Sequence, residues 1–204
     1  MRLSHASLAV VLTVLVSSVA YSQAPTARPS PNTPDFKVQV WGDIVTRFNM
    51  LVGAYVDLRG ELEKGLPPLT VTDNPAETRR AERALARRIR AARVTAKEGD
   101  IFTPAIGAEF KKVMRLEMSP YTWAVIMDDN PGEFRPRINA TYPKRKPLST
   151  VPANILATLP SLPDDIQYRF AGRHLILLDT RARVILDRIP YAIQCSEGEA
   201  ACRQ

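Results

Sequence analysis

Histidine is almost missing from this chain, with two in 204 residues, His5 and His174. His5 lies in a leader expected to be removed, so any imidazole chemistry would have to run through His174 alone. Cysteine is as scarce: Cys195 and Cys202 are the only thiols, and two thiolates without a second pair or partner histidines do not complete a tetrahedral zinc site. The nine glycines build no phosphate-cradling loop, and no serine stands in a nucleophile-elbow pattern. No apolar run reaches the roughly 20 residues needed to span a bilayer as a helix. No cofactor is implied by any of these patterns.

What is abundant is proline, 17 residues, and positive charge, a net +7 with a pI near 9.7. A basic start at Arg2 is followed by the apolar run Leu8 to Ala20 and then by Tyr21-Ser22-Gln23-Ala24-Pro25, with small residues at Ala20, Ser22 and Ala24. This is the layout of a cleavable secretory signal over 1–22, cut after Ser22 or Ala20. Its removal takes one unit of positive charge and leaves His174 as the last histidine. No cysteine follows the apolar run, so a lipid anchor is not supported, and the mature protein is expected to be soluble and secreted or periplasmic. An exported pair of cysteines near a C-terminus reads as a disulfide, Cys195–Cys202.

Along the mature chain, residues 23–34 form a Pro-rich leader that buries too little apolar surface to order itself. Apolar residues from Trp41 to Leu62 recur at three- and four-residue steps, which predicts a long helix from Asp35 to about Lys64, stopped by Gly65. Asn74-Pro75-Ala76-Glu77 opens a second helix, with Asn74 as cap and Glu77 at the capping-box position, running to about Ala96. Its expected apolar side is Ala81, Ala84, Leu85, Ile89, Ala92 and Ala96. Arg79, Arg80, Arg83, Arg87, Arg90, Arg93 and Lys97 share the other side, and Arg88 falls beside the apolar arc with its stem reaching outward. Thr103-Pro104 and Ser119-Pro120 open two shorter helices, the first expected to carry Ile106, Phe110, Val113, Met114 and Leu116. Prolines dominate 131–163, predicting an extended segment with one short helix from Pro152 to Leu159, capped by Thr150 or Ser149. Alternation then returns in Ile166-Tyr168-Phe170, Gly172 breaks the run, and HLILLDT and VILDRI are strongly β-forming. The expected fold is α+β: an N-terminal helical hairpin, two or three shorter helices, and a three-stranded antiparallel meander over 164–192, with a C-terminal tail beyond. A sheet this small needs a helix on one face, and the first helix is the natural candidate.

The stretch PLSTVPANILATLPSLPDDIQYRFAGRHLILLDTRARVILDRI, with its YRFxGRxLIL and LPxLP patterns, resembles a family of uncharacterised secreted bacterial proteins. LRGELEKGLPPL and GDIFTPAIGAEF extend the resemblance over most of the mature chain. It implies export and an intact domain, and it transfers no functional residue.

Three sets of residues carry candidate chemistry. His174 with Asp164, Asp165 and Asp179 offers donors that suit a divalent cation, although their spacing matches no metal motif and turn carboxylates after Pro163 commonly cap backbone. Asp128-Asp129 offers paired carboxylates, yet neighbours on a helix point about 100° apart and do not converge on one atom. The arginine arc of the second helix could meet a polyanion such as an envelope polysaccharide or an anionic membrane surface, with nucleic acid ranked last. Against that stands an intrachain reading: a hairpin would bring Asp57, Glu61 and Glu63 near Arg79, Arg80 and Arg83, and a charged helix face is also what solubility requires. The sequence therefore favours a secreted or periplasmic binding or envelope-associated module without catalysis, with a carboxylate-based envelope hydrolase as the alternative.

Overall fold

A computed structural model describes residues 34–66, 74–132 and 134–194. The signal segment, the Pro-rich leader and the proposed Cys195–Cys202 bridge lie outside the described residues. Among the described residues no helix is long and apolar enough to cross a membrane.

The first helix, α1 (Pro34–Glu63), buries Ile44, Phe48, Val52, Tyr55 and Arg59 on one side. Those positions are three or four apart, which keeps them on a single stripe. Gly65, at φ 73°, ends it in the left-handed conformation that glycine accepts without strain. The next helix, α2 (Pro75–Ala92), starts as its sequence predicts: Asn74 Oδ1 accepts from Ala76 N at 3.0 Å and Pro75 fills the first turn. Glu77 accepts from the Asn74 side-chain amide at 3.0 Å. Thr103 caps α3 (Pro104–Leu116) and Ser119 caps α4 (Pro120–Asp128), both again followed by proline. Leu116 is 81% exposed, so the core of α3 is Ile106, Phe110 and Met114.

The short α5 (Ala153–Thr158) has no side-chain cap. Ser149, a candidate for that role, is instead fully buried: its hydroxyl donates to Phe170 O (2.5 Å) and accepts from Phe170 N (2.8 Å). A long-range partner has taken it from the helix start.

The sheet is the expected meander, β1 (Ile166–Ala171), β2 (His174–Asp179) and β3 (Val184–Ile189), antiparallel and in sequence order. Its helical face holds Ile166, Tyr168, Phe170, Leu175, Leu177, Val184, Leu186 and Ile189. Tyr168 meets Phe48, Phe102 and Phe110, with ring centroids between 6.2 and 6.5 Å. Each such ring, fully buried, contributes about 1.5–3 kcal/mol of transfer free energy. The opposite face is covered too: Ala171, Ile176, Leu178 and Ile185 pack with Phe134, Ile138, Tyr142 and Leu148. The Pro-rich extended segment is thus the second cover of the sheet, and β2 is buried on both faces except at His174.

A bulge in the β2–β3 pairing sets Leu177 opposite Asp187 and Leu178 opposite Ile185. The extra residue, Leu186, joins the helical face, and so does Asp187, because residues directly opposite share a face. The fully buried Asp187 carboxylate then accepts from Gly99 N (3.0 Å), Ile101 N (2.7 Å), Phe102 N (2.7 Å) and Arg188 N (2.8 Å). Burial pushes its carboxyl above the usual range, while these four donors pull it back. It pins the chain entering α3 to the sheet.

Candidate functional site

Helix α2 packs by Ala81, Leu85, Ala86 and Ile89. Ala86 is buried in place of Ala84, Ala92 and Ala96, so the buried arc is rotated toward one flank of the expected basic face. Arg93 lies about 20° from Ala86 on a helical wheel and is drawn inward. Its Nη2 donates to Leu186 O at 3.0 Å and its guanidinium stands 5.4 Å from the Tyr55 ring centre. Burial lowers its pKa, and its Nη1 is buried with no hydrogen-bond partner. Arg93 is therefore a packing residue and leaves the predicted face. Lys97 leaves it as well, because α2 ends at Ala92 and Lys97 belongs to the following turn, where its backbone N–H donates to Asp100 Oδ2 at 2.9 Å.

The five remaining members, Arg79, Arg80, Arg83, Arg87 and Arg90, are all exposed. The expected ion pairs with α1 do not form. Glu63 pairs with Arg59 (2.8 Å) and Glu61 with Lys64 (2.7 Å), while Asp57 is exposed with no ion-pair partner among the described residues. The residue that does tie the two helices is Arg88, whose Nη1 donates to Leu62 O (2.9 Å) and Lys64 O (2.8 Å), free carbonyls at the end of α1. Among the described residues, none of the five arginines has a carboxylate within ion-pair distance. Glu82, the acidic residue in the middle of α2, faces Lys144 Nζ at 3.7 Å.

That contact shows what the sequence did not: the Pro-rich segment runs beside α2 and brings more cations to it. Asn139 fixes the approach. It sits at φ 60°, a conformation asparagine tolerates better than most residues, and its amide donates to Arg90 O (3.0 Å) and Arg93 O (2.8 Å). Its backbone N–H donates to Ile185 O (2.8 Å), and Ile185 N donates to Ala140 O (2.9 Å). An open cleft of about 280 Å³ is lined by Arg90, Val94 and Ala96 of α2 and the turn after it, and by Arg137, Ile138, Asn139 and Ala140 of the Pro-rich segment. The only advance signal was cation density in the Pro-rich stretch, at Arg135, Arg137, Lys144, Arg145 and Lys146.

The other candidate sets do not assemble. His174 begins β2 and Asp179 ends it, pairing with Ala171 and Ile166 at opposite ends of β1, about 17 Å apart at strand spacing. His174 Nδ1 accepts from Tyr191 N at 3.2 Å. Asp179 is fully buried, accepting from Tyr55 Oη (2.6 Å) and Ala182 N (2.8 Å). Asp165 pairs with Arg59 (2.9 Å) and Arg181 (3.5 Å), and Asp164 is exposed. Among the described residues no three His, Cys, Asp or Glu side chains are grouped to hold a metal. Asp128 and Asp129 are both exposed at the end of α4 and line neither this cleft nor the smaller one near Tyr191.

No family model matches the chain, and no curated protein or solved structure shows significant similarity to it.

Proposed function

We propose that this protein is an exported, non-catalytic binding module that holds an anionic polymer of the cell envelope against the exposed face of α2. One observation carries the reading: Arg79, Arg80, Arg83, Arg87 and Arg90 stand on one helix, exposed, with no carboxylate partner among the described residues. At 1.5 Å rise per residue they span about 17 Å. Five like charges over that length repel one another, and a linear polyanion relieves the repulsion while releasing its own counterions. Solubility alone asks for cations interspersed with carboxylates, and here the mid-helix carboxylate, Glu82, already has Lys144. The signal-like start at Arg2 to Ala24 supports export.

A carboxylate-based hydrolase draws no support from the geometry, because Asp128 and Asp129 line neither cleft and, near the sheet, Asp165 and Asp179 are engaged with Tyr55, Arg59 and Arg181. The test is retention on immobilised polygalacturonate as salt is raised. The triple variant Arg79→Gln, Arg80→Gln, Arg83→Gln should elute earlier, with the slope of log affinity against log salt reduced by roughly two, at about 0.7 per lost contact. Its melting temperature should stay close to that of the parent, since surface changes of this kind cost within about 0.5 kcal/mol. An unchanged elution profile would reject the basic face as a binding surface.

A further inference from the structure

We infer that the cleft between α2 and the Pro-rich segment is a discrete site for one acidic sugar unit, a ring bearing a carboxylate, within the polymer that the α2 face holds. The inference rests on that proposed function and names its ligand chemistry. Two arginines, Arg90 and Arg137, come from different parts of the chain to line one cleft, and among the described residues no acidic side chain lines it. Each offers a planar fork suited to a carboxylate. Both are exposed, so an anion can reach them from solvent.

The cleft lies at the C-terminal end of α2, whose free carbonyls would ordinarily repel an anion. Asn139 removes that obstacle by donating to the Arg90 and Arg93 carbonyls. With both amide hydrogens on carbonyls, the side chain has one orientation only. The same residue is tied through its backbone to β3, and Arg137 O accepts from Ala140 N, so the backbone that carries Arg137 is fixed beside α2 before any ligand arrives, and a preformed backbone loses less freedom on binding.

The rest of the lining selects the body that carries the charge. Val94, 80% exposed, and Ile138 present aliphatic surface beside the two cations, which suits the C–H face of a sugar. Among the described residues no aromatic ring lines the cleft, so they offer no platform for stacking a nucleobase. At about 280 Å³ it falls just under the usual range of small-molecule pockets, which fits one ring of a chain.

Calorimetric titration of the full mature protein with trigalacturonate tests this. Wild type should bind saturably at one site. Arg137→Gln should weaken binding at least about tenfold, the equivalent of one lost charge-assisted hydrogen bond, without lowering the melting temperature. Arg47→Gln, at an exposed position of α1 that belongs neither to the cleft nor to the α2 face, should change it by less than about threefold. Maltotriose, which lacks the carboxylate, should not bind, and inorganic phosphate, which lacks the ring, should compete only weakly. The site is overturned if trigalacturonate fails to bind, if Arg137→Gln binds it like wild type, or if phosphate competes as well as the sugar. In each of those cases, continued salt-sensitive retention on polygalacturonate leaves the α2 face standing, whereas loss of retention removes both.

Discussion

Replacing Asp187 with alanine should be among the most damaging single changes in this domain, and its cost can be worked from the hydrogen bonds. Of the four N–H groups that Asp187 accepts, those of Ile101 and Phe102 are buried, while those of Gly99 and Arg188 are only partly so. An orphaned buried donor costs about 1–3 kcal/mol, so the two buried groups alone account for about 2–6 kcal/mol. Removing a carboxylate that is itself unfavourably buried refunds part of that, which places the net near 3 kcal/mol. Against a total stability of about 5–15 kcal/mol this is a large fraction. Asp187→Asn should cost about half as much, because one side-chain oxygen still accepts. Urea unfolding followed by circular dichroism reads the difference: at a slope near 2 kcal/mol/M, Asp187→Ala should lower the midpoint by about 1.5 M with the slope unchanged. A shift below about 0.5 M would refute the assignment of Asp187 as the pin between β3 and the chain entering α3.

Two further outcomes follow. His174 has its pKa lowered from 6.5 by burial and then by the nearby Arg188, Arg173 and Arg135, with Glu98 opposing, and its Nδ1 accepts a hydrogen bond only when neutral. A depressed folded pKa means the unfolded chain binds the proton first, so this group's contribution is fully present above pH 6.5 and is lost as pH falls below it. Histidine NMR should report the lowered pKa directly, and His174→Gln should flatten the stability profile there; an apparent pKa at or above 6.5 would contradict the placement. Protein recovered from a secreting host should begin near Gln23 or Tyr21 and, unreduced, resist alkylation at Cys195 and Cys202. An intact mass retaining residues 1–20, or two freely alkylated thiols, would contradict export or the disulfide respectively.

Helix starts were legible because their signals are local: Asn74, Thr103 and Ser119 each precede a proline and each caps the helix it announces. Strand β1 was legible because Ile166, Tyr168 and Phe170 alternate with Gln167 and Arg169, and β2 and β3 because HLILLD and VILDRI are dense in β-forming residues. Several of the departures involve residues claimed by distant partners. Ser149 caps no helix because Phe170 takes its hydroxyl. The end of α2 lies short of Ala96, where Asn139 and Asp100 satisfy the groups that further helix would have used. Arg93 leaves the basic face because Tyr55 and Leu186 meet it from other elements. Arg137 could not be placed opposite Arg90 at all, since nothing in a proline-rich stretch tells which surface it will cover.

The hydroxyl of Ser149 does more than fill a vacancy in the core. Phe170 belongs to β1, an outer strand, and an outer strand presents rows of N–H and C=O groups on which a second chain can build. One serine takes both groups of Phe170. At the other margin, the backbone of Asn139, Ala140 and Tyr142 bonds to Ile185 and Arg183 along β3. The Pro-rich segment thereby guards both borders of the meander as well as one of its faces, and proline itself cannot donate to an incoming strand. For a chain proposed to fold after export, where copies meet before folding is complete, that arrangement keeps three very apolar strands from finding each other between molecules.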